Sequence, residues 1–386
     1  CDDLSNVLST IFLPLGGKQT KEDKARISKA ALLDDIKFGC TTVEDDLSLA
    51  ENVMEIGLRG VLNVRIADAD TTSHAYAQHL EYNYDPEKGN RLLKNGLGEI
   101  EKWRKQPRIT CSLGPHGPDY CSKELLLKVR EEANKHKLPI TIHLAQNAVE
   151  LHQVRSLTSQ TPVEYLQEIE FLGFDVYAAH CMYLTMKDIQ ILKQTGVKIC
   201  HSPYNMARLF GITAPLLEWL DLGITVGLCT DGAGTGDLLD TARVAMTLQR
   251  VRAGSIYPHY IVSGGLPITP YKVLEMMTID GARVLGLEND IGSIENGKKA
   301  DIILLDVLKP HLSPMIDPVG SLIHYGYGSD VDTSIVDGKV IMENRRLVNV
   351  DEIKVLEEAQ LAGERTYIKF QESFKEHIDR YNIFKL

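Results

Sequence analysis

The chain has no excess of positive charge: 42 Lys and Arg stand against 53 Asp and Glu, a formal net charge of −11. Without surplus cations to neutralise phosphates, nucleic acid and anionic membrane surfaces are not expected as partners. No run of about 18 apolar residues is present, so no membrane span is expected. No signal-peptide pattern is visible. The seven cysteines (Cys1, Cys40, Cys111, Cys121, Cys181, Cys200, Cys229) are scattered, odd in number and contain no C-x-x-C pair. They read as buried reduced thiols of a cytoplasmic protein. None of the histidines has zinc-finger spacing, which argues against a structural zinc. Gly232-Ala233-Gly234-Thr235-Gly236 is glycine-rich but lacks the lysine of a phosphate-binding loop, and reads as a tight turn. Repeats and low-complexity segments are absent.

What is present is an alternation of short apolar, β-branched runs with amphipathic stretches, the pattern of a parallel α/β fold. Strands are expected at 40–43, 60–64, 108–113, 139–143, 175–180, 196–201 and 224–231. Between them, Ser122 to Lys137 has a serine cap and Leu125, Leu126, Val129 and Ala133 on one face. Thr185–Thr195 and Thr213–Leu222 read similarly, and a further helix is expected from Lys21 to Phe38. Seven strands fall one short of a closed (β/α)8 barrel. Cys1 is not an initiating residue, and the missing first strand is expected upstream of it.

After a helix expected over Pro270–Leu287 the texture changes. Ile302–Leu305, Thr333–Ile341 and Arg346–Val348 read as antiparallel strands, with Asp337-Gly338 as a hairpin turn. An amphipathic helix over Asp351–Tyr381 closes the chain. The expected division is a barrel over 1–287, a small sheet over 288–350 and a C-terminal helix over 351–386.

The chemistry concentrates at strand ends. Of twelve histidines, His116, His143, His180 and His201 terminate strand-like runs, and Asp231 ends the last one. On a barrel such positions converge on one mouth. Asp231 can ligate a divalent metal and take a proton from water, and His143 offers a neutral nitrogen ligand. His180 can ligate, or polarise a substrate carbonyl or leaving group. Glu44-Asp45-Asp46 follows a strand and reads as a solvated loop.

These motifs carry a resemblance over nearly the whole chain. Gly114-Pro115-His116-Gly117-Pro118, Ile142-His143-Leu144-Ala145, Ala179-His180-Cys181, His201-Ser202-Pro203-Tyr204-Asn205 and Cys229-Thr230-Asp231-Gly232 are similar to the successive strand-end motifs of the amidohydrolase superfamily. Ile291–Ile294, Lys299–Ile302 and Val336–Lys339 are similar to its C-terminal sandwich return. The branch resembled is the cytosine deaminase-like one, with methylthioadenosine/S-adenosylhomocysteine deaminases and triazine (atrazine) hydrolases. The resemblance implies a (β/α)8 barrel with a small composite β-sandwich. It implies a hydrolase with one divalent metal, zinc or alternatively iron, held by His143 and Asp231. It makes His180 a hydrogen-bond partner of the attacking water or the substrate, and Asp231 the proton acceptor. His116 becomes a substrate contact, and His201 and Asn205 become residues of the pocket. The implied substrate is a small nitrogen heterocycle, and family habit implies a homo-oligomer.

Two departures from that pattern shape the expectation. The family's His-x-His pair at the end of strand 1 is nowhere in this sequence. The glutamate three residues after the strand-5 histidine is here Gln146, whose amide orients but has no proton to shuttle near neutrality. Asp231 then carries the acid/base work, or a residue such as Glu150 substitutes. Hydrolysis of a C–N bond at a trigonal ring carbon is the leading expectation. An amide or halide hydrolase, or a ligand-binding homologue without turnover, stands as the alternative.

Overall fold

The computed structural model describes residues 13–70, 82–231, 236–256 and 268–381. The segments containing Cys1, His74, His79, Gly232–Thr235 and His259 lie outside the described residues. Seven parallel strands form one sheet in the order β1 (Thr42–Asp46), β2 (Arg59–Ile66), β5 (Ile109–Pro115), β6 (Ile140–Leu144), β7 (Val176–His180), β8 (Lys198–His201) and β9 (Val226–Leu228). A short antiparallel pair, β3 (Ala69–Asp70) and β4 (Asn83–Tyr84), interrupts the succession after β2. The sheet is curled, because side chains from non-neighbouring strands meet inside it: the Tyr177 hydroxyl on β7 reaches Ser112 on β5 at 3.1 Å and Glu44 on β1 at 3.4 Å. These are seven strands of a (β/α)8 barrel, with β1 and β9 as the two unpaired edges among the described residues.

Strand alternation decides which side chains enter the interior. On β6, Ile140, Ile142 and Leu144 are buried toward the helix layer, and Thr141 and His143 face the other way. The register carries that interior row across the sheet from His143 to Ala179 to Cys200 to Gly227. The opposite row runs Leu144, His180 and, one strand further, His201 beside Leu228.

The helices begin where polar caps allow. Thr20 opens α1 (Lys21–Lys37), and Ser122 opens α4 (Lys123–His136), following α2 (Ala50–Ile56) and α3 (Pro86–Trp103). Asn147 caps α5 (Ala148–Thr158), and Thr161 and Thr185 form capping boxes for α6 (Pro162–Glu168) and α7 (Met186–Thr195). After α8 (Pro203–Phe210), α9 (Leu216–Asp221) and α10 (Leu238–Ile256), the single helix expected over 270–287 is two: α11 (Pro270–Met277) and α12 (Ile279–Leu285). The break falls at Thr278, whose hydroxyl bonds back to the Leu274 carbonyl at 2.7 Å and whose ψ of −97° leaves the helical region. It lets α12 lie directly on β9, where a Cβ at Gly227 would sit 3.0 Å from the Gly281 Cα.

The run Glu44-Asp45-Asp46 is not the expected loop but part of β1, and Glu44 accepts the Asn63 side-chain amide at 2.8 Å. The run combines solvent access with polar partners: Glu44 is exposed, and Asp45 and Asp46 are half-buried beside Arg65.

A four-stranded antiparallel sheet follows: β10 (Ile302–Leu305), β11 (Val331–Val336), β12 (Lys339–Glu343) and β13 (Arg346–Leu347). Asp337 and Gly338 have φ of +50° and +75°, the paired left-handed turn that suits a hairpin. The sheet is tied to the base of the barrel. Arg59, at the start of β2, donates Nε and Nη2 to Asp301 at 2.7 and 2.9 Å, and the Asp337 N–H donates to the same carboxylate at 2.8 Å. Between β10 and β11 lies α13 (Pro318–Tyr325). The final helix, α14 (Glu352–Tyr381), packs along α1, joined by Arg365 to Asp23 at 2.5 Å and Lys37 to Glu352 at 2.6 Å. The small sheet is therefore at the strand N-termini, and the opposite, C-terminal mouth is left for chemistry.

Candidate active site and metal centre

Three of the four strand-end histidines meet at that mouth. The His116 ring, just past β5, is 4.7 Å from the His143 ring, and the His143 ring stacks at 5.3 Å on that of His180. Tyr120 meets His116 edge-on at 4.5 Å. Asp231 follows β9, its Oδ2 3.9 Å from His180 Nδ1. The backbone is bent to achieve this: His180 and Asp231 have φ of +74° and +63°, and Ala145 beside His143 has +49°. Such non-glycine positions cost energy and concentrate where a site needs them. Alternation alone would turn His180 toward the helix layer, and the left-handed residue at the strand end re-aims its ring.

His143 is pinned in one tautomer. Its Nδ1–H donates to the His116 carbonyl at 2.7 Å, which leaves Nε2 with a free lone pair. Burial pushes its pKa below the ordinary histidine value, opposed by that carbonyl and by Asp231. Burial, with a contribution from His143, also holds His116 well below that value. Burial carries His180 down to about 4 against the pull of Asp231. All three rings are neutral near pH 7, the form that ligates metals and accepts protons.

One turn supports two of these groups. Ser202, which precedes α8, meets His180 Nδ1 with its hydroxyl at 3.1 Å. Asn205, on the first turn of α8, donates Nδ2 to Asp231 Oδ2 at 2.8 Å. Sequence reasoning assigned Asn205 to the pocket and passed over Ser202. The signal for Ser202 was its place between His201 and Pro203, one residue past the end of the neighbouring strand.

His201 does not join the mouth. The register puts it on the outward row, 1% exposed, its ring edge-on to Trp219 of α9 at 5.6 Å. Both its ring nitrogens are without a hydrogen-bond partner, and burial carries its pKa down to about 3. His201, expected as a residue of the pocket, thus lies on the outward row, and Cys200 occupies the inward position.

Gln146 is buried, three residues past His143 and at the N-terminal approach to α5. Glu150, the residue considered as a replacement acid, is not placed to shuttle protons. It is fully buried, and its two carboxylate oxygens accept the N–H groups of Ala145 and Gln146 at 2.7 and 2.8 Å.

In donor type, His143 Nε2 and the Asp231 carboxylate fit a divalent ion such as zinc. In number they fill part of a coordination sphere: among the described residues no group of three or more His, Cys, Asp or Glu side chains is arranged to hold a metal.

The fold and site are those of a parallel α/β barrel with titratable groups gathered at its C-terminal mouth and a small antiparallel sheet at its base, the layout of a barrel enzyme. Residues 4–341 match the Amidohydrolase family model, and the chain belongs to that family. It is 36% identical over 370 residues to 5'-deoxyadenosine deaminase of Methanosarcina acetivorans, covering 94% of this chain and 80% of that protein. It is 34% identical over 345 residues to 5-methylthioadenosine/S-adenosylhomocysteine deaminase of Moorella thermoacetica, covering 88% and 75%. Among solved structures, the fold is similar to that of a zinc-bound adenosine deaminase from Xanthomonas campestris, with a TM-score of 0.83, 20% identity and coverage of 95% and 80%. It is also similar to that of a variant of atrazine chlorohydrolase from Arthrobacter aurescens complexed with zinc and atraton, with a TM-score of 0.81, 23% identity and coverage of 92% and 80%. Relatives named deaminase make this chain one of a family of enzymes that hydrolyse C–N bonds other than peptide bonds.

Proposed function

We propose that the array of His116, His143, His180 and Asp231 is the hydrolytic centre of a deaminase for an adenosine-like nucleoside. The observation that carries this reading is the tautomer of His143, fixed by the His116 carbonyl so that Nε2 keeps its lone pair. His143 and Asp231 would hold the metal, with zinc favoured by the zinc-bound relatives. The chemistry a divalent ion contributes at such a site is a lower pKa for water and a polarised target carbon.

The chain's own groups do the rest. Asp231, held by Asn205, takes a proton from the attacking water. The oxygen bonds to the trigonal ring carbon that carries the amino group. The C–N bond breaks, and ammonia leaves with the proton returned by Asp231. The remaining hydroxyl proton moves to the ring nitrogen as the product tautomerises. His180, supported by Ser202, orients water or substrate, and Gln146 holds the ring nitrogen by hydrogen bonding. His116 contacts the heterocycle from the β5 side. We place the protein in the cytoplasm as a homo-oligomer; the six cysteines among the described residues are free thiols, which suits a reducing setting.

Metal analysis and an Asp231→Asn variant test the reading. Zinc bound to the parent, with turnover reduced by about 10³-fold or more in the variant, is expected. Full activity without metal, or in the variant, contradicts it. Gln146 favours a second reading, in which the leaving group is a halide or the site binds a heterocycle without turnover. Stoichiometric binding with no release of ammonia selects that one.

A further inference from the structure

The turn beneath Gln146 is shaped by Glu150, in the first turn of α5. Its carboxylate is 0% exposed, and its partners are two consecutive peptide N–H groups rather than a cation: Oε1 takes Ala145 at 2.7 Å and Oε2 takes Gln146 at 2.8 Å. Ala145 has φ of +49°, a conformation that an alanine does not hold without external support. The turn is gripped from its other side as well. The Ala145 carbonyl accepts the N–H groups of Met182 and Tyr183, both at 3.0 Å, and the Leu144 carbonyl accepts that of Cys181 at 2.9 Å. Those donors directly follow His180, so the ends of β6 and β7 are locked together through one strained residue. Glu150 is itself fixed by the helix start, where its N–H donates to Asn147 Oδ1 at 2.8 Å.

A buried carboxylate without a cation is costly unless hydrogen bonds satisfy it. Burial and the neighbouring Asp119 raise the Glu150 pKa well above the ordinary value and the two N–H bonds oppose that rise; the same bonds hold the backbone that follows His143 and carries Gln146. We propose that Glu150 is a positioning residue, whose carboxylate clamps the Ala145–Gln146 turn and so sets the aim of His143 and Gln146 and their spacing from His180. The proposal rests on the reading of this mouth as a hydrolytic centre, and it assigns Glu150 no proton transfer.

The test combines amide hydrogen exchange with steady-state kinetics on the zinc-loaded full chain, for the parent, Glu150→Gln, Glu150→Ala and Val154→Ala. Val154 is buried on the same helix and serves as a control for stability. In the parent the Ala145 and Gln146 amides are expected to exchange at least about a hundredfold more slowly than in an unfolded peptide. Glu150→Ala should free both amides while the rest of β6 stays protected, and lower kcat by about a hundredfold with KM nearly unchanged. Glu150→Gln keeps one acceptor. It should leave one amide protected and cost about tenfold in kcat. Val154→Ala should lower Tm and leave both amides and kcat as in the parent. The proposal is overturned if both amides stay protected in Glu150→Ala, or if Val154→Ala loses as much kcat. Should Glu150→Ala fail to fold, Glu150→Gln decides: two protected amides with unchanged kcat overturn the clamp. A parent with neither metal nor turnover defeats the hydrolytic reading instead, and the amide protection still judges the clamp.

Discussion

Replacing Asn205 by alanine separates activity from stability in a way the geometry makes specific. Asn205 is 4% exposed, and its Nδ2 donates to Asp231 Oδ2 at 2.8 Å. Its Oδ1 is buried without any hydrogen-bond partner. Alanine therefore removes a satisfied donor and an orphaned acceptor together. A hydrogen bond to a charged group contributes about 1.5–3 kcal/mol, and an unsatisfied buried polar atom costs about 1–3 kcal/mol, so the two nearly cancel in folding. They do not cancel in turnover, because only the donor holds the carboxylate in line with the water. At about 1.4 kcal/mol per tenfold, loss of that bond lowers kcat by about 10–100-fold. The assay is ammonia release at saturating substrate, beside urea unfolding of the same preparation. The expected pair is a large fall in kcat with stability changed by less than about 1 kcal/mol. A variant within about threefold of the parent's kcat would refute the claim that Asn205 positions Asp231.

The junction of barrel and small sheet should be fragile at one pair. Asp301→Ala removes the acceptor of three hydrogen bonds and leaves Arg59, with a side chain 5% exposed, with the Asp337 carboxylate at 3.9 Å as its remaining ion pair among the described residues. A loss of about 3–5 kcal/mol in urea unfolding is expected, and a loss below about 1 kcal/mol would discount the pair. His201 should make the parent acid-sensitive. Its folded pKa is carried down to about 3 by burial, against about 6.5 in the unfolded chain, so below pH 6.5 the unfolded state binds the extra proton and stability falls with falling pH. In His201→Phe that contribution is gone, and between pH 6.5 and 4 the parent should lose roughly 3 kcal/mol more than the variant. Parallel pH profiles for the two proteins would contradict the neutral, buried ring.

Much of this arrangement is legible in the chain because strand ends carry their own signature. An apolar β-branched run closing on His143, His180 or Asp231 locates both the strand and the group it delivers. What the runs do not reveal is which face a residue takes. His201 ends its run as His143 nearly does, yet the register sends one ring to the helix layer and the other to the interior. That depends on pairing partners far away in sequence. The acidic run at Glu44 is solvated as expected but lies on a strand rather than a loop, where Asn63 and Tyr177 are brought to it across the barrel. The break at Thr278 lets α12 approach Gly227 closely, another contact invisible to local periodicity. Glu150 was weighed as an acid because of its chemistry, whereas its bonds to two peptide N–H groups depend on the left-handed turn at Ala145.

The most direct test of the hydrolytic centre is ammonia release by the zinc-supplemented protein across adenosine, 5'-deoxyadenosine, methylthioadenosine, guanine and chlorotriazine substrates. The expected result is release of one ammonia per adenosine-type nucleoside consumed, with a kcat/KM for that class at least about tenfold above the others. No ammonia from any of them, with the nucleosides bound but unchanged, contradicts the assignment of His143, His180 and Asp231 to a deaminating site.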